Sequence, residues 1–180
     1  MSSSEWISSS VPYLAPRTDG RRDAWSDVTA AQGRRGTQRI VHAGEVVPPF
    51  EVGELLCSPA GEEVVVRRRV IYLDDLPVEL TDTYYPLDIA RGTPLAGKAK
   101  IPGGAVTLLA RLGHAGERVR EEVRARMPDA GERETLAMGD GEPVLCLTRV
   151  TLDGDGRPVQ VDVMTMPAQR QRLQYELKIG

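Results

Sequence analysis

The residues of this chain best suited to chemistry lie on strand-like runs where polar side chains alternate with aliphatic ones. In Pro77–Tyr85 the two-residue period of a strand places Glu79, Thr81, Thr83 and Tyr85 on one face, and Val78, Leu80 and Tyr84 on the other. Upstream, Arg67, Arg69 and Ile71 share a face. Downstream, Gln160, Asp162, Met164 and Met166 do the same, opposite Val159, Val161 and Val163. An arginine fork holds a carboxylate or phosphate through two parallel hydrogen bonds, and thioethers supply an adaptable apolar wall. A sheet-lined cavity in which Arg69 and Glu79 hold a polar ligand beside Met164 and Met166 fits this pattern. A mixed face turned toward water, as antiparallel sheets often have, fits it too. Gly103-Gly104, just before a helical stretch, offer backbone N–H groups to an anion or simply make a turn.

Other chemistries find little support. GxGxxG, the Walker P-loop, HExxH, paired CxxC and GxSxG are all absent, so no cofactor or metal is implied. His42 and His114 are far apart and read as surface or structural residues, and Cys57 and Cys146 as small apolar side chains in a reducing compartment. Strand alternation splits Arg67-Arg68-Arg69 into one solvated and one or two inward-facing arginines, which argues against a continuous nucleic-acid stripe. Trp6 and Trp25 lie outside the strand runs and read as packing residues.

The elements that must position these residues are legible. Residues 1–22, punctuated by Pro12, Pro16 and Gly20, read as an extended arm or linker. Asp23 caps a short helix to Gln32, stopped by Gly33. Thr37–Val47 reads as a strand, and Pro48-Pro49 opens a helix to about Leu56. Glu62–Tyr72 and Pro77–Tyr85 make a hairpin around Asp74-Asp75. Ala105–Leu112 reads as a helix ended by Gly113, and Arg118–Arg126 as a strand. Pro128-Asp129 caps a helix ending near Met138, and a second hairpin follows Gly139-Asp140-Gly141. The hairpins resemble each other: Arg69-Val70, Pro77-Val78-Glu79 and Pro86 find counterparts in Arg149-Val150, Pro158-Val159-Gln160 and Pro167. The fold class expected is α+β, built on a mostly antiparallel sheet with packed helices.

The chain has 180 residues, 41% hydrophobic and 27% charged, with a net charge of −3. That suits one globular domain and disfavours holding nucleic acid by overall field. Apolar runs are strand-length, far short of the about 20 residues a spanning helix needs. With no secretory signal at Met1–Ile7, the expectation is a cytoplasmic protein without membrane contact.

Several motifs in fixed order resemble a known family. Val64–Val70, Asp74–Glu79 and Tyr84-Tyr85-Pro86 resemble the start of a UTRA domain, the effector-sensing half of HutC-subfamily GntR transcriptional regulators. Gly141–Leu145, Thr148-Arg149-Val150 and Asp155–Val159 look like its second signature, and Arg172–Tyr175 like its closing strand. The likeness covers about residues 40–178, leaving residues 1–40 as an arm with one short helix and 41–180 as the ligand-binding domain. It implies a chorismate lyase-like fold with a ligand pocket beside the sheet, a homodimer, and no DNA contact by this chain itself. Small-molecule binding would then modulate the DNA affinity of a winged-helix domain that residues 1–40 cannot supply. The resemblance places Arg69, Glu79, Asp162 and Met164 at the ligand, with Gly104 near the anion-contacting turn, and strand alternation adds Thr83 and Tyr85 from the face of Glu79 as candidate ligand-binding residues. Two departures, Ile71 in place of a second strand arginine and Gly103-Gly104 in place of a hydroxyl residue, point away from a phosphosugar. The alternative is a free-standing enzyme of lyase, cyclase or isomerase type acting on a cyclic or polyketide-like molecule, with Glu79 or Asp162 as acid–base.

Overall fold

The computed structural model describes residues 6–17 and 23–177; Gly20 and the first five residues of the arm lie outside them. The elements run β1 (Trp6–Ser8), α1 (Ala24–Ala31), β2 (Gly36–Val46), α2 (Phe50–Leu55), β3 (Val64–Leu73), β4 (Leu76–Tyr85), α3 (Leu87–Ala90), α4 (Gly104–Arg111), β5 (Arg118–Arg126), α5 (Ala130–Thr135), β6 (Val144–Leu152), β7 (Pro158–Pro167) and β8 (Gln171–Leu173). Six strands form one antiparallel sheet in the order β2-β3-β4-β7-β6-β5. The short β1 pairs in parallel with β8. The architecture is α+β, as the alternation of strand and helix signals implied.

Two β-α-β-β units meet at the β4–β7 seam. Their tight reversals after α2 and α5 fall 80 residues apart, at Cys57 (φ 55°) and Ala137 (φ 48°). The left-handed Ala137 ends α5 at Thr135, short of the Met138 that sequence periodicity suggested. The seam pairs Thr81 with Met164, Asp82 with Val163 and Thr83 with Asp162. Advancing each residue by 81 positions maps these pairs onto one another, so a pseudo-two-fold axis passes through Asp82 and Val163.

One sheet face packs against α2, where Val52 and Leu56 meet Val64, Val66, Tyr84, Val150 and Val161. On the other face Val65 and Tyr85 pack with Ile89, Leu95 and Leu109, from the segment that follows β4. Covered on both sides, Val64, Val65 and Val66 are fully buried, which is why they read as a continuous apolar run.

α1 lies over β2 and the start of the cavity. Asp23 caps it by accepting from Ser26 N at 3.0 Å, and Trp25 Nε1 donates to Tyr72 O at 2.9 Å. The approach is so close that a Cβ at Gly36 would sit 2.5 Å from Thr29 Oγ1 and 2.6 Å from Trp25 Nε1. Only glycine fits there. The residues expected as a loose arm are docked: Trp6 N donates to Arg170 O, Ser8 O accepts from Gln174 N, and a single 3-10 turn follows at 11–13. The division between residues 40 and 41 falls inside β2. Among the described residues no helix is long and apolar enough to cross a membrane.

Candidate functional site

A cavity of about 700 Å³ opens between the inner face of the sheet and a cover made by α1, the arm from Ser8 to Arg17, and the segment leading into α4. Strand alternation brings the polar faces of β3, β4 and β7 onto one wall. Arg69, Glu79, Tyr85, Gly104, Asp162 and Met164 all line the cavity. Thr83 lies just beneath the wall, 1% exposed, and joins the polar residues to one another.

That connection is a continuous hydrogen-bond relay. Arg69 Nη2 donates to Thr83 Oγ1 at 2.8 Å, and the same hydroxyl donates to Asp162 Oδ1 at 2.7 Å. Gln160 Nε2 donates to the other oxygen, Asp162 Oδ2, at 2.7 Å. Both oxygens of the buried Asp162 carboxyl group thus have donors. Two atoms of the wall stay buried without a partner, Arg69 Nε and Gln160 Oε1.

Glu79 lies beside this relay with Thr81 donating to it. Burial raises its pKa; the Thr81 hydrogen bond and the positive charges of Arg69 and Arg149 pull it back, while Asp162 adds to the rise. Burial likewise holds the Tyr85 and Tyr13 hydroxyls far above the ordinary tyrosine range, Tyr13 also feeling the charge of Glu79.

The arginine triplet divides as alternation requires. Arg68 faces the outside and pairs with Asp82 at 3.1 Å. Arg67, 5% exposed, turns inward but is occupied structurally, donating to Pro94 O, Leu95 O, Gly97 O and Ala99 O. It anchors the loop that delivers Gly103-Gly104 to the cavity. Gly104 N itself donates to Ile101 O at 2.9 Å, so it offers no free donor to an anion. The first-turn amides of Ala105 and Val106, which line the cavity, come next in line.

Some wall residues had no role in the sequence reading. Arg149 donates to Glu121 Oε1 at 2.6 Å and to Ser10 Oγ at 2.9 Å, and Ser10 donates to the same carboxylate at 2.7 Å. The signal for Arg149 is its spacing, 80 residues beyond Arg69 on the matching strand. Tyr13 and Arg17 reach the cavity because the arm is docked, with Arg17 N donating to Thr107 Oγ1 at 2.8 Å. Trp25 packs edge-on against Trp6, ring centroids 5.2 Å apart, and lines the cavity as well. His42 and His114 are absent from the wall, Cys57 is exposed and Cys146 buried.

A sheet-walled cavity of about 700 Å³, lined by charged, hydroxyl and apolar side chains together, has the form of a small-molecule site. The model of the UTRA domain family matches residues 31–172, so the chain belongs to the UTRA domain family. It is 27% identical over 166 residues to the uncharacterized HTH-type transcriptional regulator SCO4628 of Streptomyces coelicolor, covering 89% of this chain and 62% of that protein. It is 26% identical over 140 residues to the HTH-type transcriptional regulator GgaR of Escherichia coli, covering 77% and 54%. The chain thus spans little more than half the length of these relatives. The crystal structure of PhnF from Mycobacterium smegmatis superposes with a TM-score of 0.79 at 18% identity, over 98% of this chain and 73% of that one, which shows a shared fold.

Proposed function

We propose that this chain is the effector-binding and dimerisation part of a GntR/HutC-type transcriptional regulator, acting in the cytoplasm. A small molecule held in the cavity by Arg69, Glu79, Tyr85, Asp162 and Met164, with Thr83 setting the relay, shifts the dimer between arrangements that differ in DNA affinity. The DNA contact belongs to a winged-helix domain outside this chain. Family membership and the HTH-type relatives support the reading. The observation that carries it is the Arg69–Thr83–Asp162–Gln160 relay on the wall of a cavity of about 700 Å³.

Native mass spectrometry of the purified chain tests this first, followed by thermal-shift screening with metabolites, since a ligand of the native state raises apparent stability by mass action. The expected result is a dimer that binds one small molecule per protomer and an Arg69→Ala variant that folds but no longer responds. Unchanged affinity in that variant removes Arg69 from the site, and a strictly monomeric protein removes the dimeric mechanism.

Glu79 favours one second reading. A buried carboxyl with a raised pKa beside a cavity suits a general acid, as an enzyme on this scaffold would need. A bound molecule whose mass changes on incubation, in the wild type but not in Glu79→Gln, would establish that reading.

A further inference from the structure

The two edges of the sheet are built differently. β2 carries a bulge between Ile40 and His42, and its first carbonyl, on Gly36, accepts from Ser26 Oγ of α1 at 3.3 Å; both features work against the addition of a further strand. β5 has neither. Arg118–Arg126 pairs with β6 residue by residue, without a register shift, and its other side is open. Exposed apolar side chains border it: Val123 on the inner face, Met127 at its end, and Phe50 next to the Glu51 that reaches Arg124 at 3.6 Å. The first half covers its own inner face with the segment 86–113, whereas among the described residues only the three-residue β8 follows β7.

Half of the charges on β5 are paired within the chain: Glu121 with Arg149 at 2.6 Å, Arg124 with Glu51 at 3.6 Å and Arg126 with Glu132 at 2.6 Å. Arg118, Arg120 and Glu122, exposed on the outer face, form no ion pair among the described residues. A second copy of the strand can be laid antiparallel against this edge about a two-fold axis perpendicular to the sheet, so that inner faces inner and each contact occurs twice. Centred on Glu121, this register sets Arg120 against the partner's Glu122, Glu122 against the partner's Arg120, and Val119 against the partner's Val123. Arg118 meets the partner's Arg124, a side chain that Glu51 neutralises, and Glu121 meets its own copy with Arg149 beside each. Centred one residue further on, the strand would set Arg120 against Arg124, Arg118 against Arg126 and Glu122 against itself. The charges left over in one chain therefore complement each other in two.

We infer that β5 is the edge through which this protein self-associates: two copies join antiparallel about Glu121 into one continuous sheet, with both cavities on the same face. The inference rests on the dimer of the effector-binding reading and names the surface that forms it. Ser10 of the arm donates to Glu121 at 2.7 Å, so both arms are clasped beside the axis. A change in how the copies meet then reaches the arm, and with it the cover of the cavity.

Sedimentation equilibrium of the full chain at low salt tests it, with Arg120→Glu, Glu122→Arg and the two changes together. The two-fold makes each single reversal turn two attractions into two repulsions, so each should weaken the dimer at least about tenfold. The double reversal restores both pairs and should return the affinity to within about threefold of the wild type. A cross-link provides the second readout. Val119→Cys with Val123→Cys, in a Cys57→Ser background because Cys57 is exposed, should give a disulfide-linked dimer on mild oxidation. Facing residues lie about 4.5–5.5 Å apart, within disulfide reach, whereas positions 119 and 123 of one strand are about 13 Å apart. A wild-type dimer that is indifferent to both single reversals, or that gives no cross-link, overturns the inference and leaves the dimeric effector reading standing. A wild-type chain that stays monomeric overturns the inference and the dimeric mechanism together.

Discussion

The two β-α-β-β halves share one backbone plan and use it differently. Along the inner face the first half presents Arg69, Glu79, Thr81, Thr83 and Tyr85, and the second presents Arg149, Gln160, Asp162, Met164 and Met166 at matching places. The first half carries the cover: α1 lies on β2, and the segment 86–113 after β4 folds back over Val65 and Tyr85. The second half has only β8 at the corresponding place, and its edge strand β5 is largely exposed. Duplication thus explains the shape of the sheet wall, while divergence between matching positions sets the thioethers of Met164 and Met166 where the first half has Thr83 and Tyr85.

The largest expected effect tests whether the halves contribute equally to the fold. Leu56 and Leu136, 80 residues apart, are 5% and 0% exposed in equivalent clusters. Each Leu→Ala change should cost about 2–4 kcal/mol in urea unfolding, with Leu136 the costlier. A negligible loss for one of them would break the equivalence.

Next come the paired arginines. Arg149→Met leaves Glu121, 12% exposed at its side chain, with the Ser10 and Tyr175 hydroxyls but no positive charge, and should cost about 2–3 kcal/mol while loosening the arm. Arg69→Met removes the hydrogen bond to Thr83 and a long one to Gln38 from a less buried position and should cost about 1 kcal/mol, yet abolish ligand binding. Unfolding curves combined with titration separate the two. If both variants lose stability equally, Arg69 is a structural residue like its counterpart.

A smaller effect depends on pH and divides Glu79 from its counterpart Gln160. Burial raises the Glu79 pKa in the folded state, so its contribution is fully present below the unfolded value of about 4.3 and is lost as pH rises through the folded one. Glu121 behaves oppositely: the Ser10 and Arg149 hydrogen bonds lower its pKa against the cost of burial, and its contribution is lost as the solution is acidified. Glu79→Gln should therefore be more stable than wild type at pH 7 and lose that advantage near pH 4. An advantage that is constant across this range would show that Glu79 does not titrate between these limits.

Much of this was legible in the sequence because strands announce themselves by alternation. The inner face of each hairpin, the splitting of Arg67-Arg68-Arg69 and the extent of Arg118–Arg126 follow from a period of two. The docking of the arm was not. β1 has three residues, and its partner β8 lies 165 positions away, so no local pattern reports the pairing. The place of Arg149 was legible from its spacing to Arg69, but its partners were not, since they bring Glu121 from an edge strand and Ser10 from the arm to one place. Gly103-Gly104 fitted either an anion-facing turn or a plain one; the fold uses the Gly104 amide within the turn, on Ile101 O.

The smallest effect lies on the pseudo-two-fold axis itself, where Asp82 faces Val163. Asp82 receives Arg68 at 3.1 Å and the Tyr84 hydroxyl at 3.2 Å, and burial raises its pKa, so the site is a poor place for a charge. The ion pair is solvent-screened, with side chains 45% and 33% exposed, and contributes a few tenths of a kcal/mol at most. Asp82→Val copies the residue across the axis, exchanging that pair and the charge penalty for β-branched packing on a central strand. The two sides nearly cancel, and the change in stability should stay within about 0.5 kcal/mol, with the balance tipping toward the variant in high salt, where the Arg68 attraction is weakest. A loss well above 1 kcal/mol would mean that the seam depends on the Asp82–Val163 pair, and that divergence between the halves reaches the axis as well as the cavity.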